Sequence, residues 1–422
     1  MVFHLAKKLS FISYLIGMKK SANVARLPLL VTAFLAAQPT LAQDNFAELQ
    51  SQAKGQVVYF NAWGGDDKIN AYISWAGDQL NDRYGITLEH VKLTDTAAAI
   101  SRILAEKTAG RDDDGSVDLL WVNGENFAAM KRADLLQDSD WVTSLPSWAY
   151  TDEAELPAIA LDFAVPTDGL EAPWGRAQLV FFYDKTYLTT PPDSAEALAQ
   201  YIANNPGRFT YPQPPDFIGV SFLKQILTEL TEQNEALYQP VSEADFDAVT
   251  APLWDYLARI TPDLWRGGKA YPQNYPAMRQ LLADGELDIY IAFNPADASS
   301  AIAQGQLPDS VRSYIHQDGT IANVHFLAIP FNSGSVAAAK LTADFMMSPE
   351  AQIRKADPAI WGDPSVLSQA KLAAKDKAAF AALPKGIATL SPAELAKTLP
   401  EPHPSWVPAL EAEWKRRFAS GQ

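Results

Sequence analysis

Six short stretches carry residue types that could recognise a small solute: Trp63-Gly64-Gly65, Asn123-Gly124-Glu125-Asn126, Trp174-Gly175, Asp216 to Ser221, Asn294-Pro295-Ala296-Asp297 and Trp361-Gly362-Asp363. Ring faces attract cations and carboxylates pair with them, so Trp63, Trp174 and Trp361 together with Glu125, Asp216 and Asp297 favour an organic cation. Asn123, Asn126, Asn294 and the Ser221 hydroxyl add neutral hydrogen-bonding groups. Gly64 and Gly65 would let backbone approach a ligand where a strand turns into a helix. Each stretch also has a purely structural reading. Asn123, Asp216 and Asp297 are placed to cap helices, and Glu125 suits the positive end of a helix dipole. Trp63 could fill a tight turn, Trp174 a hinge and Trp361 a core.

Catalytic and metal chemistry find little support. The chain has no cysteine, which removes thiolate metal sites, cysteine nucleophiles and disulfides. His90, His316, His325 and His403 are scattered, with no His-x-x-x-His pair and no adjacent tyrosines of the iron-binding kind. There is no Gly-x-Ser-x-Gly elbow, and Asn332-Ser333-Gly334-Ser335 reads as a loop. No cofactor or metal is expected, and the chain reads as a binder rather than an enzyme.

The elements that would position these residues alternate between strand and helix. Val57 to Phe60 is β-rich and precedes a helical spacing of Ile69, Ile73, Ala76 and Leu80; Ile86 to Leu93, Ala97 to Ala109 and Val117 to Val122 continue the alternation. Such order implies an α/β fold with ligands at the carboxyl ends of parallel strands, where Trp63 and Asn123 to Asn126 fall. Thr167 to Arg176 reads as a Gly/Pro-rich connector into a second α/β lobe, with Arg208 to Tyr211 and Glu286 to Phe293 as strands. The expected organisation is a signal segment over 1–42, a first lobe over 43–165, a second over 166–297, and a return to the first lobe with C-terminal helices over 298–422. Two crossovers would make a hinged clamp with its cleft between the lobes.

Residues 18–42 run from Lys19, Lys20 and Arg26 through an apolar stretch to Pro39-Thr40-Leu41-Ala42, the order that export machinery reads. The apolar run is shorter than the roughly 20 residues a membrane span needs, so cleavage is expected near Ala42, with a start at Met1 and a retained anchor as the alternative. The net charge is −16, and loss of residues 1–42, which hold five basic and no acidic residues, would make it −21. Nucleic acid and anionic membrane surfaces are poor partners for such a chain.

The runs Val58 to Trp63, Asp118 to Phe127, Ala172 to Gln178, Pro206 to Pro212 and Glu401 to Trp406 resemble the YnjB-type solute-binding proteins of ABC transporters. The resemblance covers essentially the whole chain after residue 42. It implies a type II periplasmic binding protein fold, a small-molecule ligand, an inner-membrane permease as partner, a monomer, and a thiamine-like solute. A sugar or polyol receptor remains a second expectation, with tryptophan stacked on the ring. A secreted glycosidase using Glu125 with Asp216 or Asp297 would need carboxyl groups roughly 5 to 9.5 Å apart in one wet cleft. An adhesive protein would instead show a large exposed apolar patch.

Overall fold

A computed structural model of the protein describes residues 38–419 apart from Ser139 and Pro392, with side chains from Phe46 onward. The chain divides between Asp44 and Asn45, and the architecture below is that of Asn45 onward. Residues 1–37 of the expected signal segment lie outside the described residues. Its expected cleavage point, Ala42, falls within helix α1 (Gln38–Ala53).

Strand β1 (Val57–Trp63) leads into α2 (Asp67–Tyr84), β2 (Thr87–Leu93), α3 (Ala97–Thr108), β3 (Leu119–Val122) and α4 (Glu125–Arg132). Local chemistry explains α2. Asp66 caps it by accepting from the Lys68 amide at 2.8 Å, and Ile69, Tyr72, Ile73, Ala76 and Leu80 bury one stripe. Gly85, at φ 67°, ends it in the left-handed conformation that other side chains resist. β2 and β3 flank β1 in parallel register, as helical crossovers require.

The hairpin β4 (Leu161–Asp162) and β5 (Val165–Pro166) precedes β6 (Glu171–Gln178), β7 (Val180–Asp184), α5 (Ala195–Asn204), α6 (Phe217–Leu230), α7 (Phe246–Ile260) and α8 (Tyr275–Ala283). β8 (Ile289–Ala292), α9 (Asp297–Ala303), β9 (Val311–Tyr314) and β10 (Thr320–Ala328) follow. α10 (Val336–Met347), α11 (Pro349–Ala356), α12 (Ala374–Ala381), β11 (Thr398–Leu399) and α13 (Trp406–Trp414) complete the described strands and α-helices. Two main sheets result. The larger runs β11-β10-β3-β1-β2 with β6 also on β10, and the smaller runs β8-β7-β9. Phe60, Tyr72 and Trp174 sit in a core of the larger sheet, while Phe181, Phe182, Tyr290 and Trp406 sit in that of the smaller.

Three details differ from the sequence reading. The Gly/Pro-rich connector is largely strand β6, antiparallel to β10. Gly175 pairs with His325 and Pro173 with Phe326, which leaves Trp174 as the extra residue of a β-bulge. Proline, lacking an N–H, is tolerated at such a break, and a Cβ at Gly175 would run into His325 and Asp363. Arg208 to Tyr211 forms no strand and belongs to neither sheet; its backbone accepts single bonds from the Asp288 and Trp265 amides while Phe209 and Tyr211 are buried. The boundaries 166 and 297 also divide the sheets differently from the hydrogen bonding. β6 runs along β10 of the larger sheet and β9 along β7 of the smaller, so the chain crosses between Gln178 and Val180 and returns between Tyr314 and Thr320. Helix α13, from the expected first-lobe tail, buries Trp406, Leu410 and Trp414 in the smaller core.

Candidate functional site

A cavity of about 430 Å³ collects side chains from elements of both sheets. The carboxyl ends of β1 and β3 bring Trp63, Trp121 and the Asn123 to Asn126 turn to it. Helix α6 and its N-terminal cap bring Asp216, Phe217 and Lys224, α8 brings Tyr275, and the turn after β8 brings Phe293 and Asn294. His325, Trp361 and Asp363 lie at its base, and Val407 and Glu411 of α13 line it as well.

Of the residues selected from sequence, Trp63, Asn123, Glu125, Asn126, Asp216, Asn294 and Trp361 line this cavity. Gly64, Gly65, Trp174, Ser221 and Asp297 do not, and each has a packing reason. A Cβ on Gly64 would meet the Lys92 side chain at 2.6 Å, and one on Gly65 would run into the Trp63 ring. Those glycines make room for neighbours. Trp174 is fully buried beneath Trp121, the ring centroids 5.0 Å apart and nearly perpendicular. The Ser221 hydroxyl is buried within α6, with no hydrogen-bond partner among the described residues. Asp297 is buried against Arg279, whose Nη1 lies 2.6 Å away, and accepts from the Tyr290 hydroxyl at 2.8 Å. Its charge is satisfied inside the protein.

The aromatic walls are ordered by one another. Trp63 and Tyr275 face each other at 5.9 Å between centroids, inclined by 30°. Trp121 lies 5.8 Å from Trp361, and His325 is stacked on Trp361 at 6.1 Å. Beneath them Asp363 accepts from Lys355 and lies 3.1 Å from His325 Nε2. Burial opposes the Asp363 charge, but His325 and Lys355 together hold its carboxyl below the usual range. Burial likewise pushes His325 and Lys355 down. The base is an internally balanced cluster.

The remaining wall is acidic. Asp95, Glu125, Asp216 and Glu411 line it, and none forms an ion pair among the described residues. Asp216 caps α6 by accepting from the Ile218 and Gly219 amides at 2.9 and 3.2 Å, and burial pushes it up to about 6. Burial, reinforced by Glu125 and Asp95, pushes Glu411 up to about 7. Burial also raises Glu125, although Lys224 opposes it. Lys224 is already matched: its Nζ lies 2.6 Å from Glu401 and 4.4 Å from the Phe163 ring centroid. Sequence reading passed over Lys224 and Glu411. The signal for Lys224 was available, since it is the one charge in the apolar run Phe217 to Leu227 and a buried lysine needs a partner. Nothing local marks Glu411.

The chain belongs to the bacterial extracellular solute-binding protein family, whose model matches residues 75–385. Protein YnjB of Escherichia coli (strain K12) is 47% identical over 377 residues, which is 89% of this chain and 95% of that protein. Among solved structures, the periplasmic binding protein AfuA of Actinobacillus pleuropneumoniae, with exogenous fructose 6-phosphate bound, is similar at TM-score 0.61 and 14% identity, covering 86% of this chain and 99% of that one. The spermidine/putrescine ABC transporter substrate-binding protein PotD of Streptococcus pneumoniae is similar at TM-score 0.58 and 14% identity, covering 86% and 98%. The fold is the two-lobed type II periplasmic binding protein fold, with its cleft between the lobes. Among the described residues no helix is long and apolar enough to cross a membrane.

Proposed function

We propose that the protein is the periplasmic receptor of an ABC importer, capturing a small organic cation between lobes built on its two sheets and delivering it to an inner-membrane permease. The observation that carries the ligand class is the charge of the cavity wall. Among the described residues four carboxyl groups stand without an ion pair, whereas the cavity's lysine is matched by Glu401. A neutral sugar would leave that charge uncompensated in a half-buried space, and an anion would add to it. A heteroaromatic cation of the thiamine type suits both the acids and the Trp63 and Tyr275 faces. The export-type segment ending near Ala42 supports the periplasmic location. In this role no bond is made or broken.

Calorimetry on protein beginning at Gln43, with thiamine, spermidine, putrescine and a neutral sugar, tests this reading. One of the cations should bind, and Glu125→Gln should weaken it about ten- to a hundredfold, the worth of one charge-assisted contact. Tight binding of the sugar with no response to any cation would overturn the ligand class.

A further inference from the structure

We propose that the C-terminal segment forms part of the recognition surface, with Glu411 of α13 a counter-charge and Val407 an apolar wall for the bound solute. The Glu411 half rests on the cation reading above; the Val407 half does not.

Helix α13 lies beyond the residues matched by the family model, yet it is firmly seated. Trp406, Leu410 and Trp414 recur every fourth residue and are fully buried in the smaller core. The Trp406 indole N–H donates to the Gln239 carbonyl at 3.0 Å, and that of Trp414 to the Tyr211 hydroxyl at 2.9 Å. Just upstream, Glu401 accepts from Lys224 at 2.6 Å and from the Asn323 amide at 2.8 Å. These contacts fix the rotation of the helix. Val407 and Glu411, each one residue beyond a core position and four apart, therefore share the adjacent face, and both line the cavity.

That face holds a carboxyl group at a place stability alone would not choose. Glu411 is half-buried, with Asp95 before α3 and Glu125 of α4 reinforcing the effect of burial on it, while Lys224 of α6, tied to Glu401, opposes it. With its carboxyl pushed up to about 7, the free protein holds a proton there for part of the time near neutral pH. A bound cation would take the place of that proton. Cation affinity should accordingly rise with pH through this range.

The experiment measures affinities of wild type, Glu411→Gln and Val407→Trp for thiamine, spermidine, putrescine and a neutral sugar at pH 6 and 8, with circular dichroism as a control of folding. Glu411→Gln should weaken the cation bound by wild type about ten- to a hundredfold at pH 8 and reduce the difference between the two pH values. Val407→Trp should obstruct every solute the wild type takes; Val407→Phe, a smaller intrusion, serves if the tryptophan variant unfolds. Unchanged cation affinity and pH dependence in folded Glu411→Gln would overturn the proposal while leaving the cation reading intact. If wild type binds only the sugar, the cation reading falls and the Glu411 role with it; obstruction by the Val407 variant then upholds the apolar wall, and unchanged sugar binding overturns that too.

Discussion

The Asp216 carboxyl accepts from two amides at the start of α6 while lining the cavity, so under the proposed cation reading one side chain would serve both helix and ligand. Asparagine caps about as well as aspartate. Asp216→Asn should therefore keep the cap, with stability close to wild type near pH ~4, while weakening a bound cation, whereas Asp216→Ala should also lose about 1 kcal/mol of stability. Burial raises this acid in the folded state to about 6, above its ordinary carboxylate value, so the unfolded chain releases its proton first and stability falls as pH rises from about 4 to 6. Asp216→Asn should flatten that part of the ligand-free melting profile. Cation binding through Asp216 runs the other way and is lost as pH falls through about 6. Asp216 was legible because an acid before an apolar helix is both cap and candidate ligand. Asp297 looked equivalent, but its partner Arg279 comes from α8, and no local spacing announces that the two helices place them 2.6 Å apart.

At the scale of elements, strand β6 and helix α11 explain one another. The bulge at Trp174 turns its carbonyl away from regular pairing, and that oxygen accepts from the Gln352 side-chain amide at 2.7 Å and from Lys355. Lys355 also reaches Asp363, so a break in a strand, a helix and the cavity base share one buried ammonium. Lys355→Met should cost roughly 3–5 kcal/mol, since it leaves Asp363 buried without one of the two partners, Lys355 and His325, that hold its charge; urea unfolding would measure it. Sequence conveyed the β1-α2-β2-α3-β3 run because burial there follows clear periods and α2 carries both a cap and a terminal glycine. It concealed β6 because Pro173 and Gly175, ordinary marks of a loop, here serve a bulge.

Across the whole molecule, hydrogen bonds join elements of the two sheets around the cavity, among them one from the Ser300 hydroxyl to the Pro358 carbonyl. Lys68 Nζ donates to the Ser300 hydroxyl at 2.7 Å, Tyr275 to Asp66 at 3.3 Å, and the Asn294 amide to the Trp361 carbonyl at 3.1 Å. Domain opening would separate such groups, as in other clamp-like binding proteins. Lys68→Ala should enlarge the radius of gyration of the ligand-free protein in X-ray scattering, and a saturating ligand should restore it. The two-lobed plan was readable from strand and helix alternation together with the family resemblance, whereas the exact crossings depended on pairings between strands distant in sequence.

The seating of α13 also orders events in time. The smaller core draws on residues from Leu179 to Trp414, and three of its fully buried side chains come from the last helix. During synthesis this core lacks Trp406, Leu410 and Trp414 until they have left the ribosome, although most of the larger sheet has already been made. Contacts so distant along the chain form late. The smaller core, and the part of the cavity wall that Val407 and Glu411 supply, is therefore complete only once α13 has emerged.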